Sequence, residues 1–103
     1  MTTSAEFQAL FQRGKRIDRS PFLVLWTASA RPRRVGFAVS RQLRRAVDRN
    51  RIRRRLREAY RHARDGAPAS AALIVVGKKR VLEMEFEALV AELRGAFTLM
   101  SQK

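Results

Sequence analysis

The chain has 103 residues, no cysteine, 46% hydrophobic residues and a formal charge of +14, from 23 basic against 9 acidic side chains. That length suits one domain with a modest core, in which about two thirds of the unfolded surface is buried. Disulfides and thiolate metal sites are excluded, and the charge points first to a nucleic acid and second to an anionic membrane surface. The opening MTTSAEFQAL lacks a basic stretch followed by an apolar one, so no signal peptide is expected. The longest apolar run, within residues 67–77, is too short to span a bilayer and is broken by Pro68 and Ser70. The expectation is one domain over 1–103, with an ordered core of about 4–99, in the cytoplasm.

Thr3 and Glu6 have capping-box spacing, Phe7, Leu10 and Phe11 follow at helical intervals, and Gly14 marks a stop. A short first helix is predicted. Residues 17–21 could add a small edge strand. Pro21 then opens Phe22-Leu23-Val24-Leu25-Trp26-Thr27, a continuous β-type run. After the Arg31-Pro32-Arg33 turn, Val35, Phe37 and Val39 alternate with Gly36, Ala38 and Ser40, the pattern of a strand with one core face. The short connection predicts that these two strands form an antiparallel hairpin.

An arginine-rich helix follows over about 44–64. Ile52, Leu56, Ala59, Tyr60 and Ala63 recur at helical spacing as one apolar stripe, and Asp65-Gly66-Ala67-Pro68 ends it. Ala72-Leu73-Ile74-Val75-Val76 is the most β-like segment, and Gly77-Lys78-Lys79-Arg80 a basic turn. The last helix is predicted over about 83–99, with Phe86, Leu89, Val90, Leu93 and Phe97 on its apolar side. The order α-β-β-(β)-α-β-α defines an α+β fold, a two-layer α/β sandwich with helices packed on a small sheet.

Catalytic signals are missing from the sequence. The one histidine, His62, stands between arginines on a polar helix side and reads as surface. No Ser, Cys or Thr sits in a nucleophile motif. Glu83, Glu85 and Glu87 fall at the start of the last helix, where acids suit the helix dipole. No His/Asp/Glu set has metal-ligand spacing. A protein-borne nuclease centre, with clustered acids or paired histidines, is therefore not expected.

The arginine helix carries the functional signal. Residues 41–64 hold eleven arginines against two acids, Asp48 and Glu58. Solvated charged faces normally mix signs; this one does not. The pairs Arg45/Arg49, Arg49/Arg53, Arg51/Arg55, Arg53/Arg57 and Arg57/Arg61 set like charges four apart. At roughly 0.2–0.5 kcal/mol each, the set costs about 1–2.5 kcal/mol, against a net stability of only ~5–15 kcal/mol. Glu58, four after Arg54 and three after Arg55, is expected to offset a little of this. Guanidinium forks onto two phosphate oxygens and stacks on bases, so a bound polyanion accounts for the charge. Arg53, Arg54, Arg57, Arg61 and Arg64 cluster on one side of the helical wheel with Asn50, while Arg49 lies at the edge of the apolar stripe. Lys78, Lys79 and Arg80 extend the positive surface. Phe22, Trp26, Phe37 and Tyr60 read as core, and Phe7 and Phe11 are the candidates for partial exposure and base stacking. The apolar stripe of this helix is made partly of alanine, too weakly apolar for strong membrane insertion. A ribosomal or general RNA-binding protein has the same charge and aromatic content, and composition alone leaves that alternative open.

The order of the motifs narrows it. RVGFAVSRQLRRAVDRNRIRRRLREAYR (34–61) resembles the protein subunit of bacterial ribonuclease P, whose pattern is an R-V-G-[apolar]-x-V strand, basic residues, then A-V-x-R-N-R-I-K-R and an aromatic. Arg49-Asn50-Arg51-Ile52-Arg53-Arg54 match its centre. EFQALFQRG (6–14) and LIVVGKKRV (73–81) resemble its opening and its last strand and turn, so the likeness covers about 6–97. The resemblance implies a small mixed sheet of ribosomal-protein-S5-domain-2-like topology with a left-handed β-α-β crossover. It implies an accessory subunit of a ribozyme that removes the 5′ leader of precursor tRNA, with catalysis and Mg2+ carried by the RNA. The implied partners are the catalytic RNA and precursor tRNA, with no membrane and no obligate protein partner. Arg45, Arg49, Asn50, Arg51, Arg53, Arg54, Arg57 and Arg61 would face RNA; Phe7, Phe11, Leu23 and Leu25 would line a leader cleft between the sheet and the first helix; Lys78, Lys79 and Arg80 would form a secondary patch. The chain departs from the family pattern in its neutral residues 1–5, in Arg41-Gln42 where paired lysines are common, and in Leu25, beside Trp26, where an aromatic is frequent.

Overall fold

A computed structural model describes residues 8, 10, 12–28, 32–40 and 43–101. One sheet contains β1 (Lys15–Asp18), β2 (Phe22–Ala28), β3 (Arg34–Val39) and β4 (Ala71–Gly77), in the spatial order β1-β2-β4-β3. Helix α1 (Ala46–Ala63) runs into a 3₁₀ turn at Arg64–Gly66, and a second 3₁₀ turn at Lys79–Leu82 precedes helix α2 (Phe86–Ser101). Residues 8, 10, 12 and 13 are also helical. Among the described residues no helix is long and apolar enough to cross a membrane.

The strands expected from Phe22 and around residues 35–39 form where the residue pattern places them, the edge strand forms earlier than the expected 17–21, at Lys15–Asp18, and the pairing differs. β2 and β3 are not a hairpin. β2 pairs antiparallel with β1 on one side and β4 on the other, and β3 pairs parallel with β4. The reason is burial. All but one residue of β4 is buried, and a strand apolar on both faces belongs between two others. β3, amphipathic and half-buried along most of its length, is left at the edge. The β3–α1–β4 connection is therefore a parallel crossover, and this brings the arginine helix back over the sheet.

Side-chain alternation divides the core in two. Phe22, Val24 and Trp26 of β2 and Leu73 and Val75 of β4 face the two long helices, meeting Ile52, Leu56, Leu89, Leu93 and Phe97. Leu25, Ala72 and Ile74 face the opposite side, where Leu10 of the N-terminal helical residues buries them. Helix α1 sits close to β4 because Gly77 has no side chain. A Cβ there would overlap the Ile52 Cγ2 and come within 2.8 Å of the Leu56 Cδ1. Gly77→Ala is expected to lower stability by about 1–3 kcal/mol through overpacking, measured by urea denaturation. Gly66→Ala, whose new methyl group meets nothing within 4 Å, should leave the midpoint unchanged or slightly raised.

Candidate nucleic-acid interface

At 100° per residue, α1 presents three sides. Its buried stripe is Ile52, Leu56, Ala59 and Ala63. One flank carries Arg49, Arg53 and Tyr60 toward β3, where the Tyr60 ring meets Phe37 edge-on at 5.8 Å and Phe97 at 6.1 Å. The other flank, toward α2, carries Arg55 and His62. Asn50, Arg51, Arg54, Arg57 and Arg61 point outward and are exposed.

The arginines divide by what they touch. Arg55 is half-buried, its Nε donating to the Val81 carbonyl at 3.1 Å and its Nη2 to the Met84 carbonyl at 2.7 Å. It ties α1 to the 3₁₀ turn before α2. Arg61 donates from Nη1 to Glu58 at 3.0 Å, so Glu58 serves Arg61 and not the expected Arg54 or Arg55. Arg45 reaches Asp48 at 3.8 Å. Among the described residues, Arg49, Arg51, Arg53, Arg54 and Arg57 have no partner for their guanidinium groups. These five, with Asn50 between them, form a continuous cationic surface from the β3 flank across the outward side.

The secondary basic patch is less free than its sequence suggests. The Lys78 ammonium donates to the Asp18 carboxylate at 2.5 Å and to the Arg19 carbonyl at 3.0 Å. Arg80 pairs with Glu83 at 3.5 Å. Lys79 is exposed.

Of the residues assigned to a leader cleft, Phe7 and Phe11 lie outside the described residues. Leu23 is half-buried on the sheet face away from α1 and α2, beside Val76 of β4 and Ala38 of β3. Leu25 shares that face but is fully buried beneath Leu10 and offers no surface. Trp26 points to the other face, 6% exposed in the core with the Lys15 ammonium 5.0 Å from its ring, away from Leu23 and Leu25. Val76 and Ala38 were missed in the sequence because their place beside Leu23 depends on the strand order. Arg33 was missed as a brace. Its Nη1 donates to the Ala67 and Pro68 carbonyls at 3.3 and 3.2 Å, and the group lies 5.9 Å from the Tyr60 ring centroid. His62 is exposed as expected, although its ring meets Phe86 edge-on at 5.5 Å and Arg94 donates to its carbonyl at 2.8 Å.

An α+β domain with an unbalanced arginine helix seated on a mixed sheet is a polyanion-binding architecture, and its ordered motifs have counterparts in known proteins. The family model for ribonuclease P matches residues 1–101. The ribonuclease P protein component of Desulfovibrio desulfuricans is 41% identical over 93 residues, covering 85% of this chain and 72% of that one. That of Gluconacetobacter diazotrophicus is 39% identical over 94 residues, covering 87% and 80%. The ribonuclease P protein of Thermotoga maritima superposes with a TM-score of 0.78 at 25% identity, covering 89% of this chain and 88% of that one. The Staphylococcus aureus protein shares the fold at a TM-score of 0.78 and 22% identity, covering 97% and 93%. The chain belongs to the ribonuclease P protein component family, the accessory subunits of that tRNA-processing holoenzyme.

The division among arginines has a measurable consequence. Arg55→Ala removes a donor from two carbonyls and should lower stability by about 1–3 kcal/mol. Arg54→Ala, exposed and unpartnered, should stay within about 0.5 kcal/mol of wild type. Urea denaturation of both variants in one buffer checks this; equal losses would mean that Arg55 is no brace.

Proposed function

We propose that this chain binds the catalytic RNA of ribonuclease P through the outward and β3-facing sides of α1, and guides the 5′ leader of precursor tRNA along the open part of the sheet face. The observation that carries the reading is the run of five guanidinium groups on α1 that have no partner among the described residues, in a chain whose family is that of ribonuclease P protein components. Arginine forks suit phosphate, and a helix ridge with groups at successive turns matches a charged backbone better than a single anion. The half-buried row of Leu23, Val76 and Ala38 offers a shallow apolar floor on the opposite side of the sheet. Phosphodiester hydrolysis and its Mg2+ are assigned to the RNA, with the protein supplying electrostatic screening and substrate position.

Reconstitution tests the assignment. The chain, mixed with a ribonuclease P RNA at low magnesium, should stimulate removal of the 5′ leader, and the chain alone should cleave nothing. Leader removal by the purified polypeptide without RNA would refute it. Within the complex, Arg49→Ala and Arg54→Ala should weaken RNA affinity and each reduce the slope of log K against log salt by about 0.7–0.9. An unchanged slope in both variants would remove this side of α1 from the interface.

A further inference from the structure

The open row on the sheet ends at an ion pair. Asp18 of β1 stands opposite Leu23 of β2, Leu23 opposite Val76 of β4, and Val76 opposite Ala38 of β3. Directly opposed residues share a face of a sheet. Asp18 therefore borders the floor to which the leader is assigned. Lys78 is fastened beside it. Its backbone N–H donates to the Pro21 carbonyl at 2.9 Å, and its ammonium contacts both the Arg19 carbonyl and the Asp18 Oδ1. Two of the three ammonium donors are thus engaged and one is left. The Asp18 side chain remains 72% exposed. An exposed pair of this kind contributes ~0–1 kcal/mol to stability, so fold stability gives little reason for a carboxylate at the rim of an RNA-binding floor in a chain of +14 charge.

We propose that Asp18 is an electrostatic brake on leader binding: Lys78 contacts a leader phosphate, and the Asp18 carboxylate both occupies that ammonium and repels the phosphate. The inference rests on the leader path described under Proposed function. It makes Asp18 a residue that sets how tightly precursor is held relative to product, since mature tRNA has no leader to cross this rim. The sign of the effect is unusual. Neutralising an acid that is already paired should strengthen binding, because it frees the lysine and removes the repulsion together.

The test uses holoenzyme reconstituted from the full chain and ribonuclease P RNA, with apparent Kd measured for precursor tRNA carrying a long leader and for mature tRNA. Asp18→Asn should tighten precursor binding by roughly threefold to tenfold, the size of one close charge contact in water, and leave mature tRNA unchanged. Lys78→Ala should loosen precursor by a similar factor and also leave mature tRNA unchanged. The brake is overturned if Asp18→Asn leaves precursor affinity unchanged or lowers it, or if mature tRNA shifts equally. A wild-type holoenzyme with no preference for precursor over mature tRNA would defeat the leader path itself. A preserved preference with a silent Asp18→Asn would defeat the brake alone.

Discussion

Helix α1 has to bury one stripe while most of the rest of its circumference repels itself. Ile52 and Leu56 are fully buried, and burying a side chain of this size contributes ~1.5–3 kcal/mol. Those two residues alone outweigh the about 1–2.5 kcal/mol of like-charge repulsion along the helix. Packing on the sheet, not helix propensity, therefore holds α1 together. Gly77 is what lets Ile52 and Leu56 reach that depth. The cationic surface exists only because β4 offers a flat seat beneath it.

The acids are placed so that this surface stays unbalanced. Glu92 holds Arg19 at 2.8 Å, Glu83 holds Arg80, Glu58 holds Arg61 and Asp18 holds Lys78. Three of these four pairs tie β1, its turn or the start of α2, away from the outward side of α1. Arg55 is neutralised by no acid but is consumed by two backbone carbonyls. Among the described residues, Arg49, Arg51, Arg53, Arg54 and Arg57 form the densest run of cations on α1 without an acid partner. Five guanidinium groups gathered on one helix of a +14 chain give that charge a direction.

Much of this was legible in the residues. Helical spacing located α1 to within about two residues at each end, and alternation located β3 and its core face. Strand partners were not legible. The short connection after β2 is compatible with a hairpin, and only the burial of β4 on both faces shows that it must lie between β2 and β3. The same limit hid Val76 and Ala38, which flank Leu23 only once β4 and β3 are adjacent. Arg55 was indistinguishable by type from its neighbours; its role is set by two carbonyls more than twenty residues away in sequence, Val81 in the 3₁₀ turn and Met84 just after it.

Parity along β2 settles what the proposed leader path is made of. Leu23 and Leu25 point to one face and Trp26 to the other, because successive strand residues alternate. Trp26 therefore cannot stand in for an aromatic at Leu25, however close in sequence. The described part of that floor, Leu23, Val76 and Ala38, is aliphatic. Aliphatic contact and phosphate attraction carry no base-edge readout. Contacts of that kind do not depend on base sequence.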